Sequence, residues 1–76
     1  MKIEIYGSGC SKCKKTEEIV RQVVNELNIK AEISKIEDLQ KIIDKGIMMT
    51  PAVAIDGEIK ILGRVPTTQD VKKILQ

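Results

Sequence analysis

The stretch IEIYGSGCSKCKK, residues 3–15, passes from one kind of local pattern to another. Ile3 and Ile5 alternate with Glu4 and Tyr6, as in a strand with one buried face. Gly7-Ser8-Gly9 then interrupts it, because clustered Gly and Ser mark a turn. From about residue 11 to 28, Ile19, Val20, Val23, Val24 and Leu27 recur at helical spacing among Lys, Glu, Arg and Gln. That spacing predicts an amphipathic helix of about five turns. Cys10 and Cys13, the chain's two cysteines, therefore stand where a strand hands over to a helix entrance.

The rest of the chain continues this alternation of strand and helix signals. Residues 30–36, KAEISKI, alternate again through Ala31 and Ile33. Leu39, Ile42, Ile43 and Ile47 trace a second, shorter helix that Gly46 ends. Asp56-Gly57, set between two apolar-rich runs, predicts a two-residue hairpin whose central residues both need positive φ. Its first arm, residues 52–55, is apolar throughout and should be buried on both faces. Its second arm alternates, with Glu58 and Lys60 facing out, and suits a sheet edge. Thr67 with Asp70 three residues later predicts a helix N-cap, after which Val71, Ile74 and Leu75 face the core. The predicted order is β-α-β-α-β-β-α. A right-handed crossover makes the first two strands parallel, and the hairpin is antiparallel. The expectation is an α/β fold with a mixed four-stranded sheet flanked by helices.

Seventy-six residues suit a single domain, residues 1–76, with no linker or repeat. The core must be aliphatic: there are thirteen Ile, one Tyr, and neither Phe nor Trp. Thirteen basic against eleven acidic residues, interspersed, describe a solvated surface and not a nucleic-acid footprint. One aromatic residue also provides no stacking platform for single strands. The absence of a long apolar run and of a signal pattern predicts no membrane partner and a cytoplasmic protein. Histidine is absent, which excludes Cys-His and Ser-His nucleophile pairs and His-ligated metals.

What remains is thiol chemistry. A bridge enclosing two residues removes little chain entropy, so stapling explains the pair poorly. Residues i and i+3 face each other in one helical turn, near the separation a disulfide requires. The positive end of a helix, with Lys12, Lys14 and Lys15 nearby, should lower a thiol pKa from about 8.5 towards about 7 or below. Thiolate is the attacking species in disulfide exchange. An incidental reduced pair also fits the spacing. A closed four-ligand zinc site lacks ligands, whereas two-coordinate Cu(I) does not need more.

The element order, GSGCSKC after the first strand, Thr50-Pro51 just before the hairpin and the closing helix resemble the thioredoxin/glutaredoxin superfamily over essentially the whole chain. Its small archaeal and bacterial glutaredoxin-like thioredoxins are the members most similar in length. The resemblance implies a thioredoxin-like fold and a thiol–disulfide oxidoreductase that needs no cofactor beyond its own Cys10–Cys13 couple. It implies that Cys10 attacks the substrate disulfide and Cys13 resolves the mixed disulfide. It also implies that Pro51 is cis and packs against the sulfurs, while Thr50 pairs its backbone with an extended substrate. From the residues alone, Pro51 would read as a trans proline opening a strand. Glu4 stands at the spacing of the superfamily's buried acid, six residues before the first cysteine, which implies a proton acceptor for the resolving thiol. The alternative for Glu4 is an outward position beside Lys2 on a poorly covered face.

Departures from the superfamily pattern matter as well. Ser11-Lys12 between the cysteines matches neither thioredoxins nor most glutaredoxins, so no redox potential carries over. GRVP, residues 63–66, replaces the paired glycines of glutathione-binding members. Protein disulfides are therefore the expected substrates over glutathione, with a reductase or thiol pool to reset the couple. Gly63 is expected to allow close approach near the sulfurs and Arg64 to add positive charge there, although a plain turn also accounts for both. Met48 and Met49 read first as gap-filling core residues and second as an apolar substrate rim. Tyr6 either shields the site or packs at the strand end, and the three lysines either steer acidic partners or cover a solvated helix face. Two other functions compete. A Cu(I) carrier of the heavy-metal-associated type would have the order β-α-β-β-α-β and end on a strand. A redox-sensing interaction module would bind partners without turnover.

Overall fold

The computed structural model describes residues 1–9 and 11–75. Cys10, the expected nucleophile, lies outside the described residues. The elements are β1 (Lys2–Tyr6), α1 (Ser11–Glu26), β2 (Glu32–Ile36), α2 (Leu39–Asp44), β3 (Ala52–Ile55), β4 (Glu58–Leu62) and α3 (Thr68–Leu75). They follow the predicted order. The sheet runs β2-β1-β3-β4, with β1 and β2 parallel and the pairs β1–β3 and β3–β4 antiparallel.

Strand alternation divides the core between the two faces of the sheet. Ile3, Ile5, Val53, Ile55 and Ile61 pack with Val20 and Val23 of α1 and Val71 and Leu75 of α3. Tyr6, Ala52 and Ala54 pack on the other face with Ile42 of α2 and Ile47 just beyond it. All four residues of β3 are buried because each face is covered by a helical layer. The Asp56-Gly57 turn takes positive φ at both positions, 50° and 88°, as the two-residue hairpin requires.

Three local features differ from expectation. First, α1 stops at Glu26, two residues early, where Asn28 takes φ 53° and Ile29 N–H bonds Val24 C=O at 3.1 Å. That is a left-handed helix stop, and asparagine tolerates it better than most residues. Second, β4 does not alternate regularly. Val53 pairs with Ile61 and Ala54 with Ile59, so Lys60 is the extra residue of a β-bulge. The bulge puts Ile61 in the α1–α3 core and Ile59 against the α2 cluster, on opposite faces. Third, α2 buries little. Ile42 is 3% exposed, whereas Leu39 and Ile43 are 66% and 57% exposed. Of the apolar residues of this six-residue helix only Ile42 joins the cluster with Tyr6, Ala52 and Ala54, and Ile47 joins it from just beyond the helix.

Candidate active site

The site grows from the end of β1. Its last residue, Tyr6, is still paired in the sheet with Ile36 and Ala52. Gly7 N–H continues the ladder one step by bonding Ile36 C=O at 3.0 Å. Gly9 takes φ +82°, a left-handed conformation that glycine adopts without penalty, and α1 begins at Ser11. Along α1 the buried stripe is Cys13, Thr16, Val20 and Val23, at helical spacing. Cys13 is only 2% exposed. Thr16, fully buried, donates its hydroxyl to Lys12 C=O at 2.8 Å, so its polar atom is satisfied inside the core.

A second loop meets this turn. The Thr50–Pro51 peptide bond is cis, Pro51 is buried and Thr50 is exposed. A Cβ placed on Gly7 would overlap Cys13 Sγ and lie 4.0 Å from Thr50 Cβ, so these two residues flank one small volume above Gly7. Gly63 closes the arrangement by donating its N–H to Pro51 C=O at 2.9 Å. Gly63 has φ +73°, and a Cβ there would come within 3.1 Å of Met49 Cβ. The close approach expected of Gly63 is thus made to Met49, and the backbone bond is made to Pro51. Met48 and Met49 are 92% and 58% exposed, which corrects their reading as core residues. They follow α2 on the run into Thr50.

Arg64 and Glu4 are engaged elsewhere. The Arg64 guanidinium binds the Asp70 carboxylate at 2.8 Å, and the same Asp70 Oδ2 accepts Thr67 N–H at 3.1 Å. Thr67 Oγ1 in turn accepts Asp70 N–H at 3.1 Å, completing the predicted N-cap of α3. The Arg64 guanidinium first, and the Thr67 N–H second, hold Asp70 from its usual 3.8 down to about 2. A carboxylate depressed in this way contributes stability above its unfolded pKa, and that contribution is lost as pH falls through the folded value. Asp70→Asn should therefore lower Tm near neutral pH, and its gap from wild type should close between pH 3.8 and about 2. Parallel melting curves across that range check this; a gap that does not depend on pH would contradict it.

Glu4 is half-buried on the face opposite α1, in an open groove also lined by Lys2, Tyr6, Ile36, Lys41, Asp44 and Lys45. Burial, and after it the adjacent Glu4 carboxylate, keep the Tyr6 phenol above 10.0 and so protonated. The structure thus brings Cys13, Thr50, Pro51 and Gly63 to one end of the sheet and sets Glu4 with Tyr6. Lys12, Lys14 and Lys15 are exposed around Cys13. What sequence reasoning missed is the contact between Gly7 and Cys13. Its only sequence signal was a glycine in a stretch already accounted for as a turn.

A mixed four-stranded sheet between α1 and α3 on one face and α2 on the other, with a cysteine-bearing helix directly after the first strand, is a thioredoxin-like fold. The comparisons with known proteins agree. The chain matches the thioredoxin domain family over residues 1–76. It is 47% identical over 75 residues to a thioredoxin of Methanothermobacter thermautotrophicus, covering 99% of this chain and 97% of that protein. It is 40% identical over 74 residues to a thioredoxin of Methanocaldococcus jannaschii, covering 97% and 85% respectively. A probable thioredoxin of Methanothermobacter marburgensis is 36% identical over 67 residues, covering 83% and 79%. The chain belongs to the thioredoxin family and is a thioredoxin-like redox protein.

Proposed function

We propose that the protein is a thiol–disulfide oxidoreductase that reduces protein disulfides through Cys10 and Cys13. The observation that carries this reading is the setting of Cys13. Its sulfur is withdrawn from solvent in the first turn of α1, against Gly7 and across from exposed Thr50. A sulfur kept there is sheltered from outside reagents, and the second cysteine of the couple stands three residues earlier in the sequence.

In this scheme the Cys10 thiolate attacks one sulfur of a substrate disulfide and forms a mixed disulfide, and the other substrate sulfur leaves as thiolate. Cys13, having lost its proton to water, attacks the Cys10 sulfur. The Cys10–Cys13 bond forms, the second substrate thiolate leaves, and two electrons have passed to the substrate. A reductase or thiol pool of the cytoplasm then reduces the Cys10–Cys13 bond. No further cofactor enters. Thr50, ahead of Pro51, offers its backbone to an extended substrate, and exposed Met48 and Met49 supply an apolar rim. Arg64, neutralised by Asp70, takes no direct part, and Glu4, on the other face, takes none either. Protein disulfides are preferred over glutathione because Gly63-Arg64 replaces the paired glycines of glutathione-binding members. A Cu(I) carrier of the heavy-metal-associated type would have the order β-α-β-β-α-β; here α2 stands between β2 and β3, which favours thiol exchange.

The test is reduction of insulin by dithiothreitol, with thiol titration of the protein before and after. Catalysed precipitation of insulin chains, together with reversible loss of both protein thiols, is the expected result. A protein that accelerates nothing and keeps both thiols titratable in oxidising buffer would remove the reading.

A further inference from the structure

Gly7 is a glycine without a backbone reason to be one. Gly9, Gly46, Gly57 and Gly63 all take positive φ, and Gly7 does not, so its backbone conformation is open to any L-residue. Its N–H is in the sheet ladder and its surroundings are buried. The reason for glycine lies in space. A Cβ at this position would occupy the place of Cys13 Sγ and approach Cys13 Cβ to 3.0 Å. The neighbour is a short side chain on a buried helical turn, with Thr16 packed one turn further on, so only rotation about its Cα–Cβ bond can clear the space.

We propose that Gly7 is a positioning residue for the second thiol: the side chain it lacks is the space in which the Cys13 sulfur sits. This inference rests on the two-cysteine scheme above and adds a residue to it. With a methyl group at position 7, Sγ must turn out of its place or α1 must shift. Either displacement acts on the resolving step, in which Cys13 Sγ attacks the Cys10 sulfur and expels the substrate thiolate. It does not act on the first attack, which Cys13 does not make. In-line attack of one sulfur on another tolerates little misplacement, since about 1 Å can cost on the order of 100-fold in rate.

The experiment uses a small aromatic disulfide whose thiolate product is coloured. Reduced wild-type protein should release two equivalents of that thiolate, one for each cysteine, the second following the first attack without a visible lag. Gly7→Ala should keep the first phase within about 3-fold and slow the second by about 10- to 100-fold, with the mixed disulfide visible by mass spectrometry. A second phase as fast as in wild type, or two phases slowed equally, would overturn the inference. A wild-type protein that releases one equivalent only would instead overturn the two-cysteine scheme on which it stands. Should Gly7→Ala fail to fold, the double variant Gly7→Ala/Cys13→Ala decides. Removing the sulfur should restore a cooperative melting transition, and a double variant that also fails to fold means that the two side chains do not compete for one space.

Discussion

Cys13→Ser is expected to stop turnover on a protein disulfide while sparing the first attack, so the variant accumulates as a covalent adduct with its substrate. In the wild type the resolving thiol is three residues from the attacking one, and an intramolecular partner so placed acts at an effective concentration far above that of any external thiol. Well-oriented intramolecular reactions reach effective molarities of about 10⁵ M or more, so an external thiol at about 1 mM should leave turnover reduced by at least about a thousandfold. The hydroxyl of serine is neither a nucleophile towards sulfur at neutral pH nor large enough to alter the packing above Gly7. It does bring a polar group to a position only 2% exposed, which costs about 1–3 kcal/mol where no hydrogen bond forms. Circular dichroism of the variant therefore accompanies the assay, and Cys13→Ala provides an apolar control with the same chemistry removed. Mass spectrometry of the quenched reaction should show one substrate molecule per protein. Turnover at the wild-type rate, with no adduct, would show that the second sulfur is dispensable.

This prediction and the Gly7→Ala prediction describe one step from two sides, and only one of them was legible in the sequence. Cys13 announces itself by residue type and spacing. Gly7 does not, because its meaning depends on which side chain of α1 comes back against the end of β1, a tertiary fact. The same division runs through the fold. Asp56-Gly57 and Thr67 with Asp70 were readable because their chemistry is complete within four residues: positive φ at the turn, and reciprocal side-chain-to-backbone bonds at the cap. The fully apolar run at 52–55 was readable because only a strand covered on both faces needs it. The bulge at Lys60 was hidden because regular alternation assumes one residue opposite one residue, and a bulge breaks that count without any compositional mark. Leu39 and Ile43 carried a helical period but no indication of how little sheet lay beneath them. Of α2 only Ile42 joins the buried cluster, which the helical pattern cannot reveal.

A buried and an exposed isoleucine mark the two ends of the stability effects expected of this protein, and the buried one gives the largest. Ile3 is fully buried between the sheet and the α1–α3 layer, whereas Ile43 is 57% exposed. Truncating a buried Ile to Ala costs about 2–5 kcal/mol, the spread reflecting how well the surroundings collapse into the cavity. Collapse should be limited here. The neighbours of Ile3 are mostly Ile and Val, whose branched Cβ atoms hold χ1 in few rotamers, and no Phe or Trp is present to rotate into the space. The loss from Ile3→Ala should therefore fall in the upper half of the range. At about 0.05–0.15 kcal/mol per residue, a chain of 76 residues has a total stability of roughly 4–11 kcal/mol. The cavity left by three carbons thus removes between about a third and all of it, and in a domain of this size Tm should fall by at least about 10 °C. Ile43→Ala removes the same atoms from a surface already open to water and should change stability by no more than about 0.5 kcal/mol. Urea unfolding of the two variants side by side measures both. Equal losses would mean that the sheet does not bury Ile3 beneath α1 and α3, and the placement of Cys13 above Gly7 would lose its support, since the same packing of α1 on β1 sets both.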